Sequence, residues 1–412
     1  MTPSRNLGRL LTASGLSNLA DGIFQITLPL VALGITREPG AFAAVTLVGR
    51  LPWLLFALPA GALADRLDRR RTMVRVDVAR ALAITCLAVV VGFGREELWM
   101  LYAVAFALGV AETLHDTAAQ SILPNVVEPD RLARANSRLY AVELTANQFV
   151  GPPIGGLLAA AALAGALSAS AVGYGLAAIA MTLLVGRFRP ARPASPPSFR
   201  ADIAEGVGYL ARHRLLRTLA VCVGLSNLAS TATIAVLPLY AVAPGPMGLS
   251  AAGYGLLLAA FAAGSLIGTF LVEPIERRLG RHRTMLLATF TFPVFSLAPA
   301  LTANVVFVAA AFFVASALSI GWNVITVSLR QRIVPDHLLG RVNAGYRLVA
   351  WGTMPIGAAI GGLLGQRFGL TTVFWTSAAL SAICIPLVAR LGDVNDTAGQ
   401  PSSTADPQRT RA

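Results

Sequence analysis

Apolar runs of about 18 to 25 residues follow one another along almost the whole chain, separated by short polar connections. At about 1.5 Å of rise per residue, each run is long enough to cross about 30 Å of hydrocarbon as a helix. Helix is the form such runs must take, because in lipid every backbone N–H and C=O has to find its partner within the segment. The pattern predicts about twelve spans, over residues 10–35, 42–64, 74–93, 98–123, 138–163 and 168–185, then 218–242, 251–272, 284–301, 305–329, 348–364 and 370–388. Most connections are short, so consecutive spans run antiparallel. The fold class expected is an all-α membrane protein.

One connection breaks this rhythm. The stretch RFRPARPASPP from Arg187 cannot continue a helix and reads as an extended linker. After it, Phe199, Ile203, Val207 and Leu210 recur at helical spacing opposite Arg200, Asp202, Glu205 and Arg212, which predicts a short amphipathic helix lying on the membrane surface. The expected organisation is a six-helix unit over 1–190, a linker with its amphipathic helix over 191–215, a second six-helix unit over 216–391 and a disordered tail over 392–412, rich in Ser, Thr, Pro, Asp and Gln.

Internal repetition supports that division. Gly15-Leu16-Ser17-Asn18-Leu19-Ala20 recurs as Gly224-Leu225-Ser226-Asn227-Leu228-Ala229, and Leu28-Pro29-Leu30 recurs in register as Leu237-Pro238-Leu239. Ile154-Gly155-Gly156-Leu157-Leu158 returns as Ile360-Gly361-Gly362-Leu363-Leu364, and DRLDRRRTM at Asp65 returns as RRLGRHRTM at Arg277. A unit duplicated in the same orientation predicts two halves meeting on an axis along the membrane normal, with a substrate site between them near mid-depth.

Composition agrees with a membrane as solvent: 55% of the 412 residues are apolar, 13% are charged and the mean hydropathy is +0.67. The net charge of +13 comes from arginine alone, for the chain contains no lysine. Its distribution is topological. Arg66, Arg69, Arg70, Arg71 and Arg75, then Arg131, Arg134 and Arg138, then Arg187 to Arg217, then Arg277, Arg278, Arg281 and Arg283, then Arg330, Arg332 and Arg341 fall in alternate connections, whereas the intervening ones hold only Arg37, Arg95 and Arg367. The rich side is the cytoplasmic one, which puts both termini in the cytoplasm of a multi-pass inner-membrane protein and argues against a nucleic-acid partner. Without lysine there is no phosphate-binding Gly-Lys-Ser/Thr loop, so this chain does not drive transport with ATP. Cys86, Cys222 and Cys384 each lie in an apolar run and read as buried thiols with no metal-ligand spacing, and no metal or cofactor is expected.

Ionisable side chains at membrane depth are costly and mark function by default. The first unit carries Asp21, Glu112, Asp116 and Glu143 within its spans, whereas no acid occurs between Arg277 and Pro335, and the repeat places Ser230 where Asp21 stands. Counting from the span ends puts Asp21, Glu112 and Glu143 on one layer, about 20 Å from the outer edge. Asn18, Asp21 and Gln25 share a helix face, as do Glu112, His115 and Asp116. Carboxyls so placed can load and release a proton, with His115 as a relay partner. Arg50, Arg80 and Arg347 are the compensating cations, while Asp77, Arg80, Glu143 and Asp116 can equally be interfacial or paired for structure. Helix position alone nominates Tyr240, Trp322, Asn323 and Trp351 as cavity residues, against the commoner role of aromatic packing. Gly264-x-x-x-Gly268 and Gly357-x-x-x-Gly361 read as helix-packing motifs.

Gly61-Ala62-Leu63-Ala64-Asp65-Arg66-Leu67-Asp68-Arg69-Arg70-Arg71 resembles the signature of the second connection in the major facilitator superfamily, with Asp68 where the signature has glycine. The resemblance implies a charge relay at the cytoplasmic face, in which Asp65, Arg69 and Arg70 hold the halves together in one state. Gly151-Pro152-Pro153-Ile154-Gly155-Gly156 looks like the core of the antiporter signature of drug:proton exporters, with Asn147 in place of the glycine expected four residues earlier. Physically, proline kinks the helix and the glycines admit close approach at the interface between halves. Together with LPWLLFALPAGALADRLDRRR and RQRIVPDHLLGRVNAGYRLVAWG, the chain is similar to the twelve-helix efflux branch that contains enterobactin and macrolide exporters. That implies a monomeric, proton-coupled exporter of an amphiphilic small molecule (drug, siderophore or secondary metabolite) working by alternating access, and not an enzyme. An importer or uniporter of the same fold, and a non-transporting membrane sensor, are the alternatives.

Overall fold

The structure is a computed structural model that describes residues 3–64, 67–123, 126–128, 131–186, 188 and 199–391. Asp65, Arg66, most of the linker and the 392–412 tail lie outside the described residues. The described chain is helical: α1 Pro3–Ile35, α2 Pro39–Ala64, α3 Arg69–Gly92, α4 Leu98–Ile122, α5 Leu132–Leu144, a π-helical turn Thr145–Val150, α6 Gly151–Ala161, α7 Leu163–Thr182, α8 Phe199–Arg212, α9 Arg214–Ala241, α10 Ala251–Leu279, α11 Arg281–Leu301, α12 Val305–Ile333, α13 Asp336–Phe368, α14 Leu370–Ala382 and α15 Cys384–Ala389.

Among the described residues, ten helical stretches are long and apolar enough to cross a membrane. Two predicted spans are missing from that set for different reasons. α3 has the length, but its first half is crowded by Arg69, Arg70, Arg71, Arg75, Asp77 and Arg80. The run 132–161 is divided by the π turn. Pro152 and Pro153 cannot donate backbone hydrogen bonds and their rings crowd the carbonyls four residues back; the widened turn just before them, where Gly151 N–H reaches Ala146 O, relieves that crowding. α13 begins about three turns earlier than the apolar pattern suggests, because a helix does not stop where its side chains become charged.

Caps set several boundaries. Asp68 is the N-cap of α3, accepting from Arg71 N–H at 3.0 Å with φ at −68°, so its position needs no glycine. Ser250 and Asn304 cap α10 and α12 in the same way, and Gly280 and Gly369 end α10 and α13 at positive φ. At the arginine-rich end, Arg9 and Arg70 donate to Leu183 O and Leu184 O, so two cations sit on the otherwise unpaired C-terminal carbonyls of α7.

In the packing, α1 lies against α6 and α7, α3 against α4 and α7, and α2 against α4; later in the chain α9 lies against α13 and α14, α10 against α12, and α11 against α12 and α14. Glycines bring backbones together: a Cβ on Gly264 or Gly268 would run into the carbonyls of Phe313 or Ala317 in α12, and one on Gly357 or Gly361 into those of Leu228 or Ala232 in α9.

Two seams join the early helices to the late ones: α2 against α13 and α6 against α10. Both close at the arginine-poor end, where Gly362 abuts Ala43 and Gly40, a Cβ on Gly156 would lie 3.1 Å from the Gly255 Cα, and Arg37 donates to Ala243 O at 2.8 Å. α8 packs along α13 near the opposite end, with Gly206 on the Arg341 carbonyl, Gly345 against Val207 and Leu210, and Glu205 paired with Arg341. Of the cysteines, Cys222 and Cys384 are buried beside one another, but Cys86 is exposed on α3, contrary to the buried reading.

Candidate functional site

The acidic residues of the early helices converge. Arg80 in α3 is 2% exposed, and its Nη1 stands 3.7 Å from Asp21 Oδ2 in α1 and 3.8 Å from Asp77 Oδ1 one turn back on its own helix. The Tyr174 hydroxyl of α7 donates to the other oxygen of Asp21, and its ring lies 5.2 Å from the Arg80 guanidinium carbon. Asp77, with no exposed surface, also accepts from Ser17 Oγ at 3.2 Å and faces His115 Nε2 at 3.7 Å. The second nitrogen of His115 faces Asp116 Oδ1 at 3.7 Å, and one turn away on α4, Glu112 faces Arg50 of α2 at 4.0 Å.

This is a loosely held network. The three guanidinium nitrogens of Arg80, Asp77 Oδ2 and His115 Nε2 make no hydrogen bond among the described residues; Arg80 Nη1 and His115 Nε2 meet their carboxylates at 3.7 to 3.8 Å, just beyond hydrogen-bond reach. A guanidinium equidistant from two carboxylates is free to favour either one. Asp21, Asp77, Glu112 and Asp116 outnumber Arg50 and Arg80, and at membrane depth that deficit of positive charge is one that protons can fill.

Glu143 does not share the Asp21 layer. It accepts from Ser14 Oγ at 3.2 Å, and Ser14 lies seven residues, about 10 Å, along α1 from Asp21. Asn18 spends its amide on Ser14 O of its own helix, while Gln25 on the same face is exposed.

The cavity residues nominated in the later helices separate into two kinds. Tyr240 is buried edge-on against Phe374, and Trp322 is buried edge-on against Phe292; both are packing residues. Asn323 is exposed. Trp351 meets Trp53 of α2 edge-on with ring centres 4.5 Å apart, on the α2–α13 seam. Arg347, expected to compensate an acid, is exposed with its guanidinium 5.3 Å from the Trp351 ring.

Residues 5–410 match the family described as transmembrane secretion effector, within the major facilitator superfamily. The chain belongs to that family. Its relatives include the multidrug efflux pump Tap of Mycobacterium tuberculosis, 29% identical over 92% of this chain and 91% of Tap, and macrolide efflux protein A of Streptococcus pyogenes, 23% identical over 90% and 92%. Among solved structures, a bacterial homologue of the iron transporter ferroportin in an inward-facing state aligns with a TM-score of 0.69 at 20% identity, covering 95% of this chain and 99% of its own. This likeness carries the fold.

As a major facilitator transporter, the chain also places its signature residues. Gly61 lies in α2, and Asp65 and Arg66 fall outside the described residues. Arg69 N–H donates to Phe188 O at 3.3 Å, Arg70 holds the end of α7, and Arg71 N–H is held by Asp68. The Arg70 contact therefore joins early helices to each other. The second signature serves two helices at once. A Cβ on Gly151 would lie 2.6 Å from the Gly22 Cα, and Gly155 abuts Ile23, so these two seat α6 on α1, while Gly156 and the Pro152 carbonyl meet Gly255 of α10 across the seam. Gly22 is the residue next to Asp21, so the signature clamps the backbone that carries the acid.

The sequence pattern does not single out Tyr174, Ser17 or Trp53 as site residues, and it groups Arg330 with the loop cations although that residue is buried in α12 against Tyr346. The signal for Tyr174 was a lone polar-tipped ring in an otherwise small and apolar span, Leu163–Thr182.

Proposed function

We propose that this transporter exports an amphiphilic small molecule in exchange for protons, through two six-helix halves that alternate access to a site between them. The observation that carries the reading is Arg80 suspended between Asp21 and Asp77, with Tyr174 on Asp21, inside an acid-rich cluster. A proton arriving on Asp21 neutralises one of the two carboxylates that compete for Arg80. The guanidinium then settles on Asp77, and the tie from α1 to α3 is released. Because Gly22 and Gly151 lock α1 to α6, and Gly156 locks α6 to α10, movement of α1 is passed to the seam.

With the arginine-rich end in the cytoplasm, both termini lie inside the cell and the closed end is the outer one, so this is the inward-open state of a monomer in the inner membrane. Export is the direction favoured by the multidrug and macrolide efflux pumps among its relatives.

The test is reconstitution in liposomes with an imposed pH gradient, following proton flux while the neutral amphiphile N-phenyl-1-naphthylamine is added. Amphiphile-triggered proton counterflow is the expected result. Amphiphile movement with no proton flux removes the coupling role of the cluster, and gradient-driven movement in the same direction as protons makes the protein an importer.

A further inference from the structure

Trp53 of α2 and Trp351 of α13 come from opposite sides of a seam, and their rings cross it to meet at 72°, the edge of one against the face of the other, with centres 4.5 Å apart. The residues next to them also touch, for a Cβ on Gly352 would lie 3.2 Å from Leu54 Cδ1. Counted from the arginine-poor ends of their helices, Pro39 and Phe368, the two indoles lie about 20 to 25 Å deep, which is the depth of Asp21 counted from Ile35. The contact is therefore level with the acid cluster. On α2, Trp53 stands one turn from Arg50, which faces Glu112 of α4, and one turn from Phe56, which is edge-on to Phe106 of α4 at 6.1 Å. Both indoles are only half-buried, and besides Trp53 the Trp351 ring is met by the exposed Arg347 side chain, a long and flexible cover that a ligand can push aside.

Aromatic rings attract one another beyond the apolar area they cover, because the edge of a ring is positive and its face negative. A third ring entering such a pair exchanges with one member: each indole gives up one aromatic neighbour and gains another, and the attraction is kept. A saturated ligand of the same size recovers the buried area but forfeits the ring attraction on both indoles. Since the two indoles belong to different sides of the seam, the exchange also turns a direct contact between α2 and α13 into one made through the ligand.

We propose that Trp53 and Trp351 form an aromatic-selective substrate subsite on the α2–α13 seam, in which a flat ring system of the transported amphiphile takes the place of one indole against the other. This rests on the reading of the protein as an amphiphile transporter with its site between the halves, and it narrows the substrate to amphiphiles that carry an aromatic ring system.

The probes are 2-naphthol and decahydro-2-naphthol, two neutral alcohols with the same carbon skeleton that differ in aromaticity, each used to displace fluorescent N-phenyl-1-naphthylamine from the full chain in detergent. The wild type is expected to release the reporter at about tenfold lower concentration of 2-naphthol than of decahydro-2-naphthol. Trp53→Leu and Trp351→Leu are expected to shrink that preference below about twofold while leaving the affinity for decahydro-2-naphthol within about twofold of the wild type. Trp53→Phe and Trp351→Phe, which keep a ring of smaller face and are the milder changes should the leucine variants misfold, are expected to fall between, at about threefold. Absence of reporter binding to the wild type, equal displacement by the two alcohols, or a preference undiminished in every variant that folds makes the pair a packing contact and overturns the subsite. If a pH gradient fails to drive the reporter in proteoliposomes while the aromatic preference still depends on the two indoles, proton-coupled export fails and the subsite stands; driven movement without the preference does the reverse.

Discussion

Arg80 and Arg347 are both arginines at membrane depth, and the protein treats them in opposite ways. Arg80 is enclosed by two carboxylates and a tyrosine contributed by α1, α3 and α7, so its charge belongs to a network in which any one protonation alters every other contact. Arg347 lies exposed across a tryptophan and makes no ion pair among the described residues. The same side chain is tied into an ionic network in one place and laid open across an aromatic ring in the other. The asymmetry arises in a chain whose two parts repeat each other: Asp21 has Ser230 as its counterpart, and Ser230 Oγ returns to Asn227 O of its own helix. One substitution in an ancestral repeat suffices to remove the acid that would have organised a second cluster.

The comparison breaks most visibly at Asp21. Asp21→Asn keeps the size and the hydrogen bond to Tyr174 but cannot exchange a proton. Transport driven by a pH gradient is expected to fall at least about a hundredfold, while binding of the neutral amphiphile stays within about twofold. Normal gradient-driven transport in this variant would remove Asp21 from the mechanism. Ser230→Asp, the converse substitution, supplies an acid without an Arg80 and is expected to restore nothing in an Asp21→Asn background.

Next in size is the buried pair itself. Arg80→Gln leaves Asp77 buried with only Ser17 and His115, and is expected to lower stability by about 3 to 5 kcal/mol, read as a fall in the thermal unfolding temperature in detergent. Pairing it with Asp77→Asn removes the stranded charge, and a substantial part of the loss should return. If the double variant is no more stable than the single one, the interaction between the two residues is not what holds α3 in place.

Glycine substitutions separate the cluster from the seam. Gly151→Val presses on the Gly22 backbone beside Asp21, whereas Gly156→Val presses on Gly255 across the α6–α10 seam. Both are expected to cost about 1 to 3 kcal/mol. Only Gly156→Val should loosen the arginine-poor end, detectable as faster thiol labelling of an Ala252→Cys reporter; equal labelling in both variants would mean that α6 moves as a single unit.

The all-helical membrane architecture was legible in the sequence because hydropathy over 20 residues is a strong signal and lipid allows the backbone few alternatives. The acids were legible for the same reason: Asp21, Glu112 and Asp116 stand out against apolar neighbours, and the structure brings them to one cluster. What joined them was not legible. Tyr174 and Ser17 are unremarkable polar residues whose importance depends on which helix lies beside α1, and that is a long-range fact absent from any local window. Arg330 was misplaced because charge was counted by connection, whereas α12 continues helical past the end of its apolar run and carries Arg330 inward onto Tyr346. The expected compensation of Arg347 by an acid failed similarly: an aromatic face can hold a cation, and nothing in the spacing of charges announces it.

The smallest effect is the most discriminating test of the comparison. Arg347→Gln removes an exposed guanidinium from a ring, a contact of about 0.5 to 1 kcal/mol at an accessible site. Stability is therefore expected to fall by no more than about 1 kcal/mol, against the several lost on replacing Arg80 in the same way. The thermal unfolding temperatures of the two glutamine variants, measured side by side in the same detergent, check this. A loss at Arg347 as large as the loss at Arg80 would mean that the cation–aromatic contact is itself a structural tie holding α13, and the division between a structural network in the early helices and an exposed cation on an aromatic ring in the later ones would not hold.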